Sequence, residues 1–145
     1  MTVEISETAA AAALIGLRSV LEADGPDAPN LTIWSGIMPA AEDDVDPDDN
    51  LLLVEFSLIG TSFGDPVREE DTMVADILPI GGVLGAAEGQ ASFFRLYDRN
   101  GGIVMQGSVG LEGSGEVLII DDVDVTEQKL VTVQSLRLIL PMIGA

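Results

Sequence analysis

Apolar residues recur at spacings of three and four near the start of the chain, and at spacings nearer two over most of the rest. Leu14, Leu17, Val20 and Leu21 mark one face of a helix predicted over residues 6–23, with Arg18 between them on the outer side. Ser6 stands where a capping hydroxyl belongs, and Glu7 lies in the first turn, where a carboxylate meets the positive end of the helix. Ala9 to Ala13 adds helix propensity and a small-residue face that permits close backbone approach. Asp24-Gly25-Pro26 then ends the helix, with Gly25 placed for a left-handed C-terminal position and Pro26 unable to continue the ladder.

Beyond Leu31 the pattern changes to short strands punctuated by turn residues. Leu31 to Ser35 alternates with period two, and Leu51 to Leu58 is an apolar run that Glu55 and Ser57 break into alternation. Met73 to Leu78 gives a weaker signal, and Val117 to Ile120 a short, wholly apolar one. Ser92 to Tyr97 and Ile103 to Ser108 flank Asp98-Arg99-Asn100-Gly101-Gly102, which reads as a hairpin turn with positive φ at Asn100-Gly101. Val131 to Leu140 is bounded by Pro141, and its apolar phase changes near Val133-Gln134, as at a β-bulge. Seven strands after one helix predict a mainly β chain: an antiparallel, jelly-roll-like β-sandwich over 31–141 with one N-terminal α-helix, in a single domain spanning 1–145.

Composition narrows the function. At 145 residues one core is expected, burying roughly 70% of the surface of the unfolded chain. Acids outnumber bases 25 to 6, for a net charge of −19, a field that repels nucleic-acid phosphates and anionic lipid alike. With 47% hydrophobic residues the chain is nevertheless a folding sequence. Lys129 is the only lysine; acid excess with scarce lysine suits a salty medium, and equally an acidic coat that keeps a crowded protein soluble. The chain has neither cysteine nor histidine, which removes disulfides, thiol nucleophiles and the usual neutral-pH base. The stretch from Ala9 to Ile15 is preceded by Glu4 and Glu7 and does not read as a signal peptide. No run of about 18 strongly apolar residues predicts a membrane helix.

Several constellations invite chemistry. Asp44, Asp46 and Asp48 alternate, and Glu55 falls at the twelfth position from Asp44, the oxygen spacing of a calcium loop. Asp49, however, stands where that loop turns on glycine, Pro47 stiffens the middle, and the segment from Glu42 to Asn50 reads as a solvated loop with six acids in nine positions. Asp121, Asp122 and Asp124 could supply paired carboxylates for glycoside hydrolysis, but nothing in the pattern gives a desolvated partner. The serines have no histidine to activate them, Lys129 follows no S-x-x-K, and the glycines of 81–89 and 113–115 precede no phosphate-binding helix. Trp34, Phe93, Phe94 and Tyr97 fit core packing, while Arg95 and Arg137 are placed to pair with acids across a sheet. No catalytic, cofactor-binding or metal-ligating residue is assigned, and the expectation is a protein that is not an enzyme. Val3 and Ile5 before the helix, with Met142 and Ile143 after Pro141, are apolar ends that either pack on their own domain or form a partner interface.

The chain also resembles a group of small tailed-phage and prophage virion proteins. The likeness runs through the Ala-rich helix, Leu31-Thr32-Ile33-Trp34-Ser35-Gly36, Met38-Pro39-Ala40 and Leu51-Leu52-Leu53-Val54. It continues through Ser92-Phe93-Phe94-Arg95-Leu96-Tyr97-Asp98, Gly107-Ser108-Val109-Gly110 and Leu138-Ile139-Leu140-Pro141. It implies a sandwich that decorates, or cements, the capsid exterior by binding across major capsid protein subunits, as a homo-oligomeric dimer or trimer. A tail or head–tail connector component is the alternative within the virion; a calcium- or carbohydrate-binding module is the alternative outside it. The acidic run of 42–50 replaces the more neutral, Thr/Ala-rich loop expected of such proteins.

Overall fold

Ser6 sits in extended backbone (φ −73°, ψ 164°), and its hydroxyl accepts the Ala9 N–H at 3.2 Å, opening helix α1 (Glu7–Glu22). The computed structural model describes residues 5–40, 43–58 and 62–142. Ala10, Leu14 and Leu21 are buried on the helix face turned to the sheet, with Leu17 half-buried beside them. Val20, expected on that face, is exposed, because the apolar stripe ends one position away at Leu21. Arg18 is not on the outer side: its guanidinium donates to the Phe63 carbonyl at 3.2 Å and pairs with Asp65 at 3.0 Å. The helix ends on Ala23 in extended backbone, and Gly25 does not take the left-handed position. Gly25 instead lies flat against Arg99, where an added Cβ would meet the Arg99 backbone at 2.8 Å.

Twelve strands follow among the described residues: β1 (Asn30–Trp34), β2 (Leu52–Ser57), β3 (Val67–Glu69), β4 (Thr72–Asp76), β5 (Val83–Leu84), β6 (Gly89–Gln90), β7 (Phe93–Tyr97), β8 (Ile103–Gly110), β9 (Leu118–Ile120), β10 (Asp124–Val125), β11 (Leu130–Val131) and β12 (Val133–Pro141). Eight form one large mixed sheet in the order β2-β1-β7-β8-β9-β12-β4-β3, and β10-β6 and β11-β5 form two-stranded ribbons. The chain is therefore mainly β with one helix. The five strands missed in the sequence, β3, β5, β6, β10 and β11, are two or three residues long, too short to show alternation. The phase change at Val133-Gln134 is a register shift between Val133 and Ser135, where β12 meets β9.

The sheet has two unlike faces. Leu31, Ile33, Val54, Phe56, Phe94 and Leu96 turn inward and meet Leu118, Ile120 and Leu136 in the main core. The ribbons cover this face: Val83, Ala87, Val125 and Val131 pack into the same core, and the Ala86 N–H donates to the Leu53 carbonyl at 2.7 Å. Helix α1 covers the other end, where Ala10 and Leu14 join Met73, Ala75 and Met142 in a second cluster. On the outward face Trp34 and Phe93 stack, their ring centroids 6.4 Å apart.

One pair departs from the expected antiparallel pattern: β8 and β9 run parallel through Val109–Leu118 and Gly110–Ile119. Parallel neighbours usually need a crossover of a dozen or more residues. Here residues 111–117 suffice, because β9 starts beside the end of β8 and the chain has to shift by only one strand spacing. Gly113 (φ +82°) and Gly115 (φ +80°) make that tight reversal. The β7–β8 hairpin forms as read, with positive φ at Gly101 (+79°) but not at Asn100. An added Cβ at Gly101 meets nothing within 4 Å, so a substitution there tests the backbone alone. Gly101→Val is expected to lower stability by about 2 kcal/mol, while Gly101→Asn, which tolerates the left-handed region, retains most of it. Urea denaturation of the two variants checks this, and equal stabilities would contradict it.

Candidate functional site

Two of the four apolar end residues, Ile5 and Met142, pack on the domain itself. Met142 is 7% exposed, buried among Ala10, Leu14, Met73 and Ala75, and its N–H donates to the Asp71 carbonyl at 2.9 Å. Ile5 packs against the same cluster from the other terminus. Both therefore close their own domain, because α1 and β12 lie together over one end of the sheet. Val3 and Ile143, named with them as a partner interface, lie outside the described residues.

The acidic loop is held by polar groups rather than gathered around an ion. Asp46 accepts the Asp48 N–H on its carboxylate at 2.9 Å, and its own N–H donates to Asn50 Oδ1 at 2.8 Å. The Asn50 amide donates to the carbonyls of Ser35 (3.1 Å) and Ile37 (2.9 Å), fastening both ends of the loop to each other. Asp44 and Asp48 point to solvent, while Glu55 stands exposed on β2 opposite Thr32. Among the described residues no three Asp or Glu side chains are placed to share a metal ion.

Beneath the loop lies Arg95, 1% exposed. Its guanidinium donates to Gln106 Oε1 at 3.0 Å and to the carbonyls of Asp43 (2.7 Å) and Ala40 (3.4 Å). Gln106 in turn donates to the Pro39 carbonyl at 2.8 Å. Arg95 thus fastens Ala40 and Asp43, with Pro39 held through Gln106, to the outer face of β7 and β8, a role the expected cross-sheet ion pair did not anticipate. Arg137 does pair across strands, with Asp76 at 2.8 Å and Glu69 at 2.9 Å. The Asp76 hydrogen bond and charge, with Glu69 behind them, hold the Arg137 guanidinium above its ordinary pKa.

The turn carrying Asp121, Asp122 and Asp124 is also structural. Asp121 accepts the Thr132 N–H at 2.8 Å. Asp122 accepts the Asp124 N–H at 2.9 Å and pairs with Lys129 at 3.1 Å. Those two contacts, the backbone one first, draw the Asp122 carboxyl below the usual aspartate range. An acid made easier to ionise is the opposite of what a glycosidase proton donor requires.

What the sequence reading missed is a set of outward apolar residues aligned by strand register. Val67 and Ile139 lie on one face of β3 and β12, on either side of Val74 of β4, which is itself buried. Val67 and Ile139 are each more than half exposed. Leu84 and Leu130 pair in the β5–β11 ribbon and are also more than half exposed, and Ile37 at 76% exceeds them all. Rows of this kind on an acidic surface are places where a partner removes apolar area from water. Ile139 lies in a visible apolar run, so its outward direction could be read only once the bulge at Gln134 was known. Val67 and Leu84 sit in strands too short to reveal their side.

Two outcomes follow. Met142→Ala is expected to cost about 2–3 kcal/mol by leaving a cavity between helix and sheet, seen as a lower urea midpoint at unchanged slope. Changing Asp44, Asp46 and Asp48 together to asparagine keeps the acceptor at position 46, so thermal stability should be unchanged within about 1 kcal/mol. Millimolar calcium should shift the melting temperature of neither form; a rise in the parent alone would restore the metal reading. Comparisons with protein-family models, with curated proteins and with solved structures return no significant match to this chain.

Proposed function

We propose that the chain is a non-enzymatic decoration, or cement, protein of a tailed-phage capsid, located on the exterior of the head and binding across major capsid subunits. The observation that carries this reading is the register-aligned apolar rows, Val67 with Ile139 and Leu84 with Leu130, on a protein of net charge −19. A monomer working alone gains nothing from exposing them, whereas a protein repeated over a lattice adds many small buried areas. The sequence resemblance to small virion proteins supports the same reading. So does the acidic exterior, which suits the outer surface of a head filled with DNA. The proposal extends to the finer fold: the eight-stranded sheet as the curled wall of a jelly-roll-like sandwich, with the two ribbons closing its inner face. Assembly as a dimer or trimer at symmetry axes of the shell would give the apolar rows a repeated partner.

Copy number tests the role. Quantitative mass spectrometry of purified particles is expected to find this chain at a stoichiometry comparable to the major capsid protein, on the order of hundreds of copies per head. A count of about a dozen would assign it to the tail or the head–tail connector instead. Absence from the particle would overturn both.

A further inference from the structure

Strand β9 spans three residues, yet it separates β8, with eight, from β12, with nine. It pairs with β8 only at Val109 and Gly110, and with β12 only over Val133–Leu136. Past its first residue, Leu118, the sheet divides into two edges facing each other across the place where β9 would continue. Two strands flanking one missing strand stand about 9–10 Å apart. The gap is a real cleft, about 620 Å³ in volume. Met105 and Leu138 form its apolar walls, and Leu17 of α1 lies along it from the helix side.

The peptide groups at the two edges point into this slot. The Leu136 carbonyl accepts the Ile77 N–H, and the Met142 N–H goes to Asp71, so even-numbered residues of β12 bond toward β4. Arg137 and Ile139, in alternation with them, direct their N–H and C=O groups the other way. On β8 the Val109 N–H goes to Ser92 on the β7 side, which turns the Gln106 peptide group toward the slot. Among the described residues no backbone hydrogen bond crosses from β8 to β12 beyond β9. Paired edges with donors and acceptors at strand spacing, over an apolar floor, match an extended peptide and not a compact small molecule.

Charge selects which peptide. At the rim the Arg137 guanidinium is already paired with Asp76 and Glu69, and Glu116 lines the cleft as a further carboxylate. The chain as a whole carries −19, so a second copy is repelled, whereas a cationic segment is attracted. We infer that the β8–β12 cleft takes, as an added strand, an extended segment of a partner protein in which apolar and basic residues alternate. The five positions of Arg137–Pro141 fit about five residues of it, roughly 17 Å of strand. Apolar side chains enter the floor, and basic ones reach Glu116 and the acidic surface around the cleft. This goes beyond the decoration reading and does not depend on it, since copy number in the particle tests that reading separately.

The probe is a fluorescein-labelled heptapeptide of alternating lysine and valine, titrated with the full chain and read by fluorescence anisotropy. Saturable binding is expected, with amide shifts in the nitrogen–proton spectrum confined to β8, β9, β12 and the neighbouring turn of α1. A glutamate–valine heptapeptide and hepta-lysine should each bind about tenfold more weakly, the first for charge and the second for lack of apolar side chains. Ile139→Pro removes one slot-facing N–H while leaving the β4 ladder intact, and should weaken binding about fivefold to tenfold. If that variant fails to fold, a lysine–valine peptide methylated on alternate backbone nitrogens applies the same test to the unaltered protein, with a comparable loss expected. No saturable binding, equal binding of hepta-lysine or of the methylated peptide, or shifts elsewhere on the surface would each overturn the inference.

Discussion

Among the described residues Arg95 is the one cation taken wholly out of water, and the outward face of β7 and β8 is arranged around it. Burying a guanidinium is costly unless its donors find acceptors. The chain supplies them from main-chain carbonyls at Ala40 and Asp43 and from the amide of Gln106. Meeting that requirement brings Pro39, Ala40 and Asp43 down over β7 and β8, where they shield the guanidinium from solvent. The effect spreads along the sheet through a hydrogen-bonded chain. The Arg95 carbonyl accepts the Thr32 hydroxyl, which accepts the Trp34 indole N–H at 2.7 Å, fixing the ring that stacks on Phe93. Asn50 performs the matching service at the far end of the loop, joining Ser35, Ile37 and Asp46.

The elements legible in the sequence are those whose signal is local. Ser6, Glu7 and the Leu14–Leu21 spacing identify the helix because capping and period act within a few residues. The hairpin at 98–102 and the bulge near Gln134 are legible for the same reason. What was not legible depends on residues distant in the chain. The parallel β8–β9 pair is decided by where β9 lands, and the outward turn of Val67 by a three-residue strand docking on β4. Arg95 was read as an ion-pairing strand residue, since no local pattern shows that a loop more than fifty positions earlier will bring carbonyls to it. Of the four apolar end residues, Ile5 and Met142 pack on the domain itself, because α1 and β12 lie together over one sheet end.

Charge and apolar surface have different ranges, and this molecule separates them. At physiological salt the field of the carboxylates fades over about 8 Å, so partners feel it first. The apolar rows act only on contact and cannot choose between partners from afar. A surface built this way resists its own copies at a distance, and in the proposed role it would hold a partner of opposite charge once that partner arrives. In the proposed role, that difference would keep free subunits apart until a lattice presents itself.

The position of β12 in the strand order also governs when the fold can form. Among the described residues it is the only link in the large sheet between the β2-β1-β7-β8-β9 side and the β4-β3 hairpin, and it follows every other strand in the sequence. During synthesis the hairpins β7–β8 and β3–β4 can pair as soon as they emerge, since their contacts are local. The two sides cannot join until β12 has left the ribosome, and helix α1, although it precedes every strand, lacks part of its docking surface until then. The large sheet is therefore completed only after β12 has been made, with the helix waiting for it. A ribosome stalled before β12 would hold two unjoined sheet halves open to water and to other nascent chains.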